Sequence, residues 1–212
     1  LFVLPNITRL QEKRFREVEV KNINELLKSE IKPAKMTNDT YLKTKLKAEL
    51  RIHRLDGNKP SFKVIESSAL KMLPKKDDHD IFFDIEGDPL TDGGLEYLFG
   101  LLIQNKANFD FVDIWAHNKE DEKEATARII KILYEHCIKY SKAHIYHYNA
   151  YEVNALRRLS QKYNTYEFEL DELLRGERFI DLYTVVRKLL ITSEKGLSLK
   201  DLEVFFLEKR KF

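Results

Sequence analysis

The hydrophobic positions of the chain follow two periodicities, which predict a small helical region and then an α/β domain. Before Gly57, apolar side chains recur at helical spacing in ITRLQEKRFREVEV, NINELLKSEI and YLKTKLKAELRIHRL. After the linker described below, the strand-like runs DIFFDIEG, LEYLFGLLI and FDFVDIWAH follow one another and are separated by turn residues. Three such runs in succession predict an antiparallel meander.

The segment after the meander predicts alternating helices and strands. Residues 118–140 carry acids in their first turns and apolar residues at helical spacing, so they predict a helix. The strand AHIYHY and the helix YEVNALRRLSQKY follow, then RFIDLYTVVRKLLI as a short strand passing into a helix, and LSLKDLEVFF as a last helix. The order β-β-β-α-β-α-β-α predicts an α/β fold of the ribonuclease-H-like type, a mixed sheet flanked by helices.

A linker is predicted between the two regions. The stretch LPKKDDHD, from Leu73 to Asp80, combines a proline with dense charges. We therefore expect a helical N-terminal region over residues 1–73 and the α/β domain over residues 78–212. Because the chain begins at Leu1 and closes on EKRKF, we also expect it to be a piece of a longer protein.

The composition is that of a folded and highly charged protein, with 43% hydrophobic and 34% charged residues. Its 37 Lys and Arg residues nearly balance 35 Asp and Glu residues, so the net charge of +2 does not by itself indicate a polyanionic partner. Cys137 is the only cysteine, which excludes an internal disulfide and is typical of a reducing, cytoplasmic environment. The apolar runs are far shorter than the roughly 18 residues of a membrane helix, so no membrane association is expected.

Two acids in the run IFFDIEGDPL are unusual for a buried strand. Side chains alternate along a strand, so Asp84 and Glu86 share one face with Phe82. Two like charges on one face of a sheet repel each other unless solvent or a cation compensates them. The pair is therefore either a solvated face or part of a site for Mg²⁺ or Mn²⁺, which prefer carboxylate oxygens.

Two further acids stand where a strand passes into a helix. Glu152, in HIYHYNAYEVNALRRL, falls in the first helical turn on the side of Ala155 and Leu156, so its carboxylate would lean over the strand end. The alternative is that Glu152 only stabilises the helix dipole. Asp181, in RFIDLYTVVRK, is explained best as a helix N-cap, a structural role.

Other kinds of site receive less support. His144 and His147 are three residues apart on a strand and face opposite sides, which disfavours a shared metal ion. Neither G-x-x-x-x-G-K nor G-x-G-x-x-G occurs in the sequence, so nucleotide-driven chemistry is not expected. Arg157 and Arg158 either offer cations to a phosphate backbone or belong to a solvated helix face.

Six collinear motifs carry a resemblance to a known family over about residues 78–206: DIFFDIEGDP, LEYLFG, IWAHNKEDEKEA, HIYHYNAYEVNALRRL, DELLRGERFIDLYTVVRKLL and LSLKDLEVFF. In these motifs the chain resembles the ribonuclease-H-like domain of predicted RecB-family nucleases, which is akin to the DnaQ-type, or DEDD, exonucleases. Residues 1–70 are similar to the segment that precedes this domain, a degenerate helix-hairpin-helix-like region. Because no glycine precedes Gly57, we expect this region to be structural or protein-binding.

The resemblance implies a nuclease that uses two Mg²⁺ or Mn²⁺ ions. Asp84 and Glu86 would hold the ions, Glu152 stands at the position of the second-motif acid, and Asn149 would lie beside the substrate strand. The implied activity is 3′-to-5′ removal of nucleotides from single-stranded DNA, in repair or mobile-element defence. The resemblance also implies covalent linkage to a RecB-like nuclease or helicase region in the parent chain.

The sequence departs from the family pattern at two points. Glu152 replaces the Asp of the wider exonuclease group, and the last acid of the pattern has no counterpart before Phe212. The domain is therefore expected to be truncated at its C-terminus and to lack its fourth carboxylate ligand. Two alternatives remain open: a catalytically weak or inactive module that binds nucleic acid or a partner, and an RNase-H-type endonuclease acting on RNA.

Overall fold

The computed structural model describes residue 4 and residues 6–105 and 108–207, and the chain divides into two compact units. The first unit combines Leu1–Leu70 with Val186–Phe212, and the second is Lys71–Val185. The second unit thus begins beside the predicted linker, and the assignment of domains to residues 1–73 and 78–212 stays a prediction. In the described part of the chain, no helix combines the length and apolar character needed to cross a membrane.

The described residues form eight α-helices, seven strands and one 3₁₀-helix, Ser67–Met72. The helices are α1 (Arg9–Glu17), α2 (Ile23–Lys28), α3 (Asn38–Leu55), α4 (Lys119–Lys139), α5 (Tyr151–Tyr163), α6 (Glu167–Arg175), α7 (Leu182–Leu189) and α8 (Leu199–Glu203). The strands are β1 (Phe62–Val64), β2 (Ile81–Asp88), β3 (Leu95–Asn105), β4 (Asn108–Trp115), β5 (Ile145–His147), β6 (Phe179–Asp181) and β7 (Leu190–Thr192).

The first unit is built on α1, α2 and α3, which the helical periodicity predicted. Each of these helices begins at a side chain that accepts a backbone N–H of its first turn, namely Thr8, Asn22 and Thr37. Their apolar faces enclose Phe15 and Leu26, which are both fully buried. A two-stranded antiparallel sheet of β1 and β7 belongs to the same unit, and α3 packs on β7.

The second unit contains a five-stranded sheet with the order β4-β3-β2-β5-β6. Strands β2, β3 and β4 form an antiparallel meander, whereas β5 pairs parallel with β2 and β6 pairs parallel with β5. This arrangement confirms the predicted mixed sheet flanked by helices. Because β2, β5 and β6 are parallel, their carboxyl ends meet at one edge of the sheet, which is the geometry that assembles the candidate site.

The core of the second unit lies on one face of this sheet. Ile81, Phe83 and Ile85 of β2 are buried there, α5 packs on β2, and α4 packs on β3 and β4. The opposite face exposes large apolar side chains among the described residues: Phe82, Leu102, Phe109, Phe111 and Trp115. Strand β2 therefore has one buried face, which fixes its register, and one open face, which carries Asp84 and Glu86.

Helix α6 and strand β7 are among the elements of the structure that were not predicted. Helix α6 buries only Leu170 and Leu173, and it follows Tyr166, whose φ of +50° interrupts the helical path, so its signal in the sequence is weak. Strand β7 is three residues long and directly follows α7, so the helical pattern of RFIDLYTVVRKLLI conceals it. Its partner β1 lies more than a hundred residues earlier in the chain, and such a pairing leaves no local pattern.

Candidate active site

The first part of the candidate site is the carboxyl-terminal half of β2. Asp84 and Glu86 both lie on the exposed face, as the alternation of β2 predicted, and Asp84 is opposite Gly100 of β3. The register of β2 against β3 shifts between Glu86 and Gly87, which is a β-bulge. The extra residue is Tyr97 of β3, so the regular pairing of β2 with β3 is interrupted directly after the two acids.

The second part of the site is Glu152, in the first turn of α5. The helix begins shortly after β5 ends, and this places the Glu152 side chain, only 4% exposed, within hydrogen-bonding reach of Asp84. Nδ1 of His147 lies 3.5 Å from Glu152 Oε2 but 2.6 Å from the Asn149 carbonyl oxygen, to which it donates because a carbonyl only accepts. Glu152 Oε2 is consequently buried with no hydrogen-bond partner among the described residues.

The three carboxylates repel one another electrostatically. Although Asp84 lies on the exposed face, partial burial of its carboxyl group is the largest cause that raises its pKa, and the negative charges of Glu152 and Glu86 add to it, so this pKa reaches about 6. The dominant causes are all unfavourable to the ionised form. The structure therefore brings Asp84, Glu86 and Glu152 together, in an arrangement that is under-neutralised when all three are charged.

A hard divalent cation fits this cluster by the chemistry of its donors. Carboxylate oxygens are the ligands that Mg²⁺ and Mn²⁺ prefer, and Glu152 Oε2 has lone pairs that no described group uses. The arrangement of these oxygen atoms around a single point is less favourable for a metal ion than their chemistry. Within residues 4, 6–105 and 108–207, no three His, Cys, Asp or Glu side chains are arranged as the ligands of one metal ion.

Asp181 lies at the carboxyl end of β6, opposite His147 in the register of β5 and β6. Its Oδ1 accepts the backbone N–H groups of Asn149 at 2.8 Å and Tyr183 at 2.9 Å, and its Oδ2 accepts the Thr184 hydroxyl at 2.6 Å. Burial works to raise the pKa of Asp181, but these hydrogen bonds outweigh it and lower the pKa. Asp181 thus holds the start of α7 and the loop after β5.

Asn149 occupies that loop in a left-handed conformation, with φ of +78°. Asparagine tolerates this region better than most residues, and three hydrogen bonds hold the residue there. Its N–H donates to Asp181, its carbonyl accepts from His147, and its Oδ1 accepts the N–H of Ala150 at 2.8 Å. The exposed side chain of Asn149 therefore lies directly before α5, close in sequence to Glu152.

The two arginines of α5 differ in their surroundings. Arg157 is exposed and lines a cleft of about 760 Å³ that His147, Asn154 and Asp181 also line. Arg158 instead forms an ion pair with Glu96, although its side chain is half exposed. Arg157 therefore presents its charge to the cleft, whereas the charge of Arg158 is shared with a protein carboxylate.

A second group of acids at the same end of β2 was missed by the sequence analysis. Glu96, at the start of β3, accepts hydrogen bonds from Arg158 and, at 2.7 Å, from the Tyr151 hydroxyl. A Cβ at Gly87 would overlap Glu96 Oε2 and the Tyr151 hydroxyl, so both side-chain ends would have to shift to accommodate any other residue. The network fixes α5 against the strand end and so positions Glu152. An available signal was Glu96 itself, an acid inside the apolar run LEYLFG.

Glu122 extends this second group and is fully buried at the start of α4. Its Oε1 accepts the backbone N–H of Glu96 at 2.7 Å, and its Oε2 accepts Lys162 Nζ at 2.9 Å and the Tyr163 hydroxyl. Burial works to raise the pKa of Glu122, but the bonds from Tyr163, the Glu96 N–H and Lys162 outweigh it and lower the pKa. Nothing in the local sequence distinguishes Glu122 from the neighbouring acids of NKEDEKEA.

Comparison with known families gives one match. The model of a family described as the RNase_H superfamily matches residues 81–211, a range that includes Asp84, Glu86, Glu152 and Asp181. No curated protein and no solved structure matches the chain significantly.

Proposed function

Because the chain belongs to the RNase H superfamily, whose members are generally hydrolytic nucleases, we propose that it is a divalent-metal-dependent nuclease domain. The observation that carries the proposal is the cluster of Asp84, Glu86 and Glu152 at the carboxyl end of β2 and β5. The raised pKa of Asp84 shows that its ionised form is unfavourable in the folded state, and perturbed groups of this kind concentrate at functional sites.

The roles of the three acids follow from their positions. RNase H-like nucleases typically use divalent metals, which here would lower the pKa of the attacking water and neutralise charge at the scissile phosphate. Asp84 and Glu86 on the central strand, with Glu152 on α5, would hold them, as either Mg²⁺ or Mn²⁺. Since Asp84 has a pKa of about 6, it must release its proton before it can act as a ligand. His147 and Asn149 hold the loop that orients Glu152.

Three features support nucleic acid as the substrate. They are also consistent with the specific proposal that the domain digests single-stranded DNA from its 3′ end. Arg157 presents a cation to the cleft that Asp181 also lines. Phe82, 40% exposed on the same face of β2 as Asp84, offers a ring on which an unpaired base can stack. The resemblance to predicted RecB-family nucleases supports the polarity and the choice of DNA.

The same resemblance supports a wider setting for the domain. We infer that the parent chain joins it to a RecB-like nuclease or helicase region, and that residues 1–73 are a degenerate helix-hairpin-helix-like region. A cytoplasmic location and a role in DNA repair or mobile-element defence belong to the same proposal. Identification of the parent protein's neighbouring regions tests it directly.

The alternative function is a module that binds nucleic acid or a partner without cleaving it. The observation that favours it is the incomplete coordinating geometry of the described acids. A domain with this fold and too few ligands would keep the cleft and its arginine but not hold the ions tightly enough for catalysis.

Labelled oligonucleotides with Mn²⁺ or Mg²⁺ distinguish these functions. The chain is incubated with single-stranded DNA and RNA labelled at either end, beside Asp84→Asn and the matched control Asp110→Asn, an exposed acid of β4. We expect metal-dependent shortening of DNA from the 3′ end by the chain and by Asp110→Asn, and none by Asp84→Asn. Equal cleavage by all three proteins would exclude the acid cluster as the active site, and binding without cleavage would support the alternative.

A further inference from the structure

The first unit contains a cavity that is unrelated to the acid cluster of the second. It has a volume of about 330 Å³, at the lower end of the range for small-molecule sites. Four cationic residues line it: Lys43 and Lys47 of α3, and Arg187 and Lys188 of α7. Glu66 is the one carboxylate among the lining residues, so cationic side chains outnumber carboxylates in the lining.

Lys47 is the most informative of these cations. Burial, and next the charge of Lys43, lower its pKa, so the ammonium group is held away from water beside another cation. It makes no hydrogen bond or ion pair with the described residues, whereas Lys43 is 2.9 Å from the Asp39 carboxylate. A partly buried ammonium without a protein partner is unfavourable unless an anion occupies the space in front of it.

A second, independent observation comes from a lining residue of β7. Thr192 of β7 lines the cavity, is 2% exposed, and leaves its Oγ1 buried without a hydrogen-bond partner among the described residues. Buried hydroxyl groups are nearly always hydrogen-bonded, so an orphaned one in a cavity wall indicates a missing acceptor or donor. An anion with several oxygen atoms would satisfy both Lys47 and Thr192.

Apart from Asn6, the remaining lining residues are aliphatic, namely Ile65, Leu190, Ile191 and Leu197. We propose that this cavity is a binding site for a phosphate monoester with an apolar or planar body, of the size of a nucleoside monophosphate. The phosphate lies against Lys47 and Thr192, and the body lies against the aliphatic walls. This ligand chemistry is available either as a free nucleotide or as the phosphorylated end of a nucleic acid strand.

Calorimetric titration tests the site without any contribution from cleavage. The intact chain, carrying Asp84→Asn and kept in a metal chelator, is titrated with deoxyadenosine monophosphate, deoxyadenosine and inorganic phosphate. We expect the monophosphate to bind, inorganic phosphate to bind more weakly, and deoxyadenosine to show no measurable binding. Failure of the monophosphate to bind, or equal binding of deoxyadenosine, would overturn the proposal and leave the proposed nuclease untouched.

Variants locate the binding within the cavity. Lys47→Met should weaken the monophosphate roughly tenfold or more, because it removes a charge-assisted hydrogen bond. The matched control Lys28→Met, an exposed lysine of α2 in the same unit, should leave affinity unchanged. Thr192→Val removes only the orphaned hydroxyl and should weaken binding about threefold to tenfold. Equal affinity of Lys47→Met and Lys28→Met for the monophosphate would contradict the proposed site. If Lys47→Met fails to fold, the affinity of Thr192→Val for the monophosphate tests the site instead.

The source of the ligand is resolved by a competition experiment. A 5′-phosphorylated oligonucleotide and its unphosphorylated counterpart compete with a fluorescent monophosphate for the site. Competition by the phosphorylated strand alone assigns the cavity to strand ends, and competition only by free nucleotide assigns it to small molecules. Equal competition by both strands would show that the terminal phosphate is not recognised and would contradict the proposal.

Discussion

Two groups of acids lie at the carboxyl end of β2, and they differ in what surrounds their charges. Asp84, Glu86 and Glu152 face one another, and burial with like charge raises the pKa of Asp84 to about 6. Glu96 and Glu122 are buried, as Glu152 is, yet each accepts hydrogen bonds from a cation and a tyrosine. In the first group, the protein supplies too little positive charge or hydrogen bonding to balance the carboxylates. In the second group, hydrogen bonds from within the protein balance them.

This difference separates a site that binds something from a site that holds the fold. Burying a carboxylate is costly, and the cost is offset only where partners surround it. The network of Glu96 and Glu122 meets this condition within the second unit. The cluster around Asp84 would meet it only with a cation supplied from outside, so we propose that the missing partner, and not burial alone, identifies a binding site.

The largest expected effect is on catalysis. Glu152→Gln keeps the size of the side chain and removes its charge, so we expect metal-dependent cleavage to fall by roughly 10³-fold or more. The matched control Glu120→Gln removes an exposed acid from the first turn of α4. If Glu152 served only the helix dipole, both variants would cleave normally in a labelled-oligonucleotide assay.

The next effect is on folding through the second group of acids. Glu122→Ala leaves Lys162, the Tyr163 hydroxyl and the backbone N–H of Glu96 without their common acceptor. We expect the free energy of unfolding, measured in urea, to fall by about 3 kcal/mol. The control Glu124→Ala, an exposed acid of the same helix, should change it by no more than about 0.5 kcal/mol. Equal effects would show that the network contributes no stability.

Substitution of Gly87, which lies between the two groups of acids, should have a smaller effect on the free energy of unfolding. Gly87→Ala displaces the Glu96 carboxylate and the Tyr151 hydroxyl, which disturbs their hydrogen bonds, and we expect it to cost about 2 kcal/mol of unfolding free energy. In the control Gly100→Ala, the nearest atom to the new Cβ is the Asp84 carbonyl oxygen at 3.9 Å, an ordinary contact. Thermal unfolding compares the two, and a tolerated Gly87→Ala would contradict the close packing.

The smallest effect is a pH dependence of the metal-free protein. The pKa of Asp84 is raised from 3.8 to about 6, so the folded state holds this proton more tightly than the unfolded state. The contribution of the Asp84 carboxyl group to the free energy of unfolding is therefore present at low pH and is lost as the pH rises through about 4 to 6. Asp84→Asn removes the loss and should stabilise the metal-free chain by about 1 kcal/mol near neutral pH, allowing for solvent screening.

Urea unfolding of both proteins with a chelator, near pH 4 and near pH 7, measures this dependence. The advantage of Asp84→Asn should be small at the lower pH and appear at the higher one. Added Mn²⁺ should stabilise the unaltered chain more than the variant. An advantage of the variant that is independent of pH would show that repulsion at Asp84 is not its cause.

Much of the fold and the positions of the acids of the first group were predictable from the sequence, because they depend on local patterns. The alternation in IFFDIEG placed Asp84 and Glu86 on one face, and the strand-to-helix junction placed Glu152 at the start of α5. The order of elements predicted the mixed sheet, which the structure confirms. Family membership follows from the match to residues 81–211, whereas the specific nuclease type stays a prediction.

The partners of the charged residues were not predictable. Arg158 and Arg157 are adjacent and identical in type, yet one forms an ion pair with Glu96, 62 residues away, and the other lines a cleft. Glu122 stands among equally acidic neighbours, and only the fold brings Lys162 and Tyr163 to it. Hydrogen bonds across such separations depend on how helices pack on the sheet, and no local pattern records them.

The sequence by itself determined which side chains share a face, because strand and helix periods are set by backbone geometry over a few residues. It therefore determined that β2 carries two acids on its open side. Only the tertiary structure decided which acids are neutralised, because the charge of a carboxylate is balanced by whatever the fold brings within about 4 Å of it. For Glu96 and Glu122 the fold supplies those partners, and around Asp84 it supplies further carboxylates.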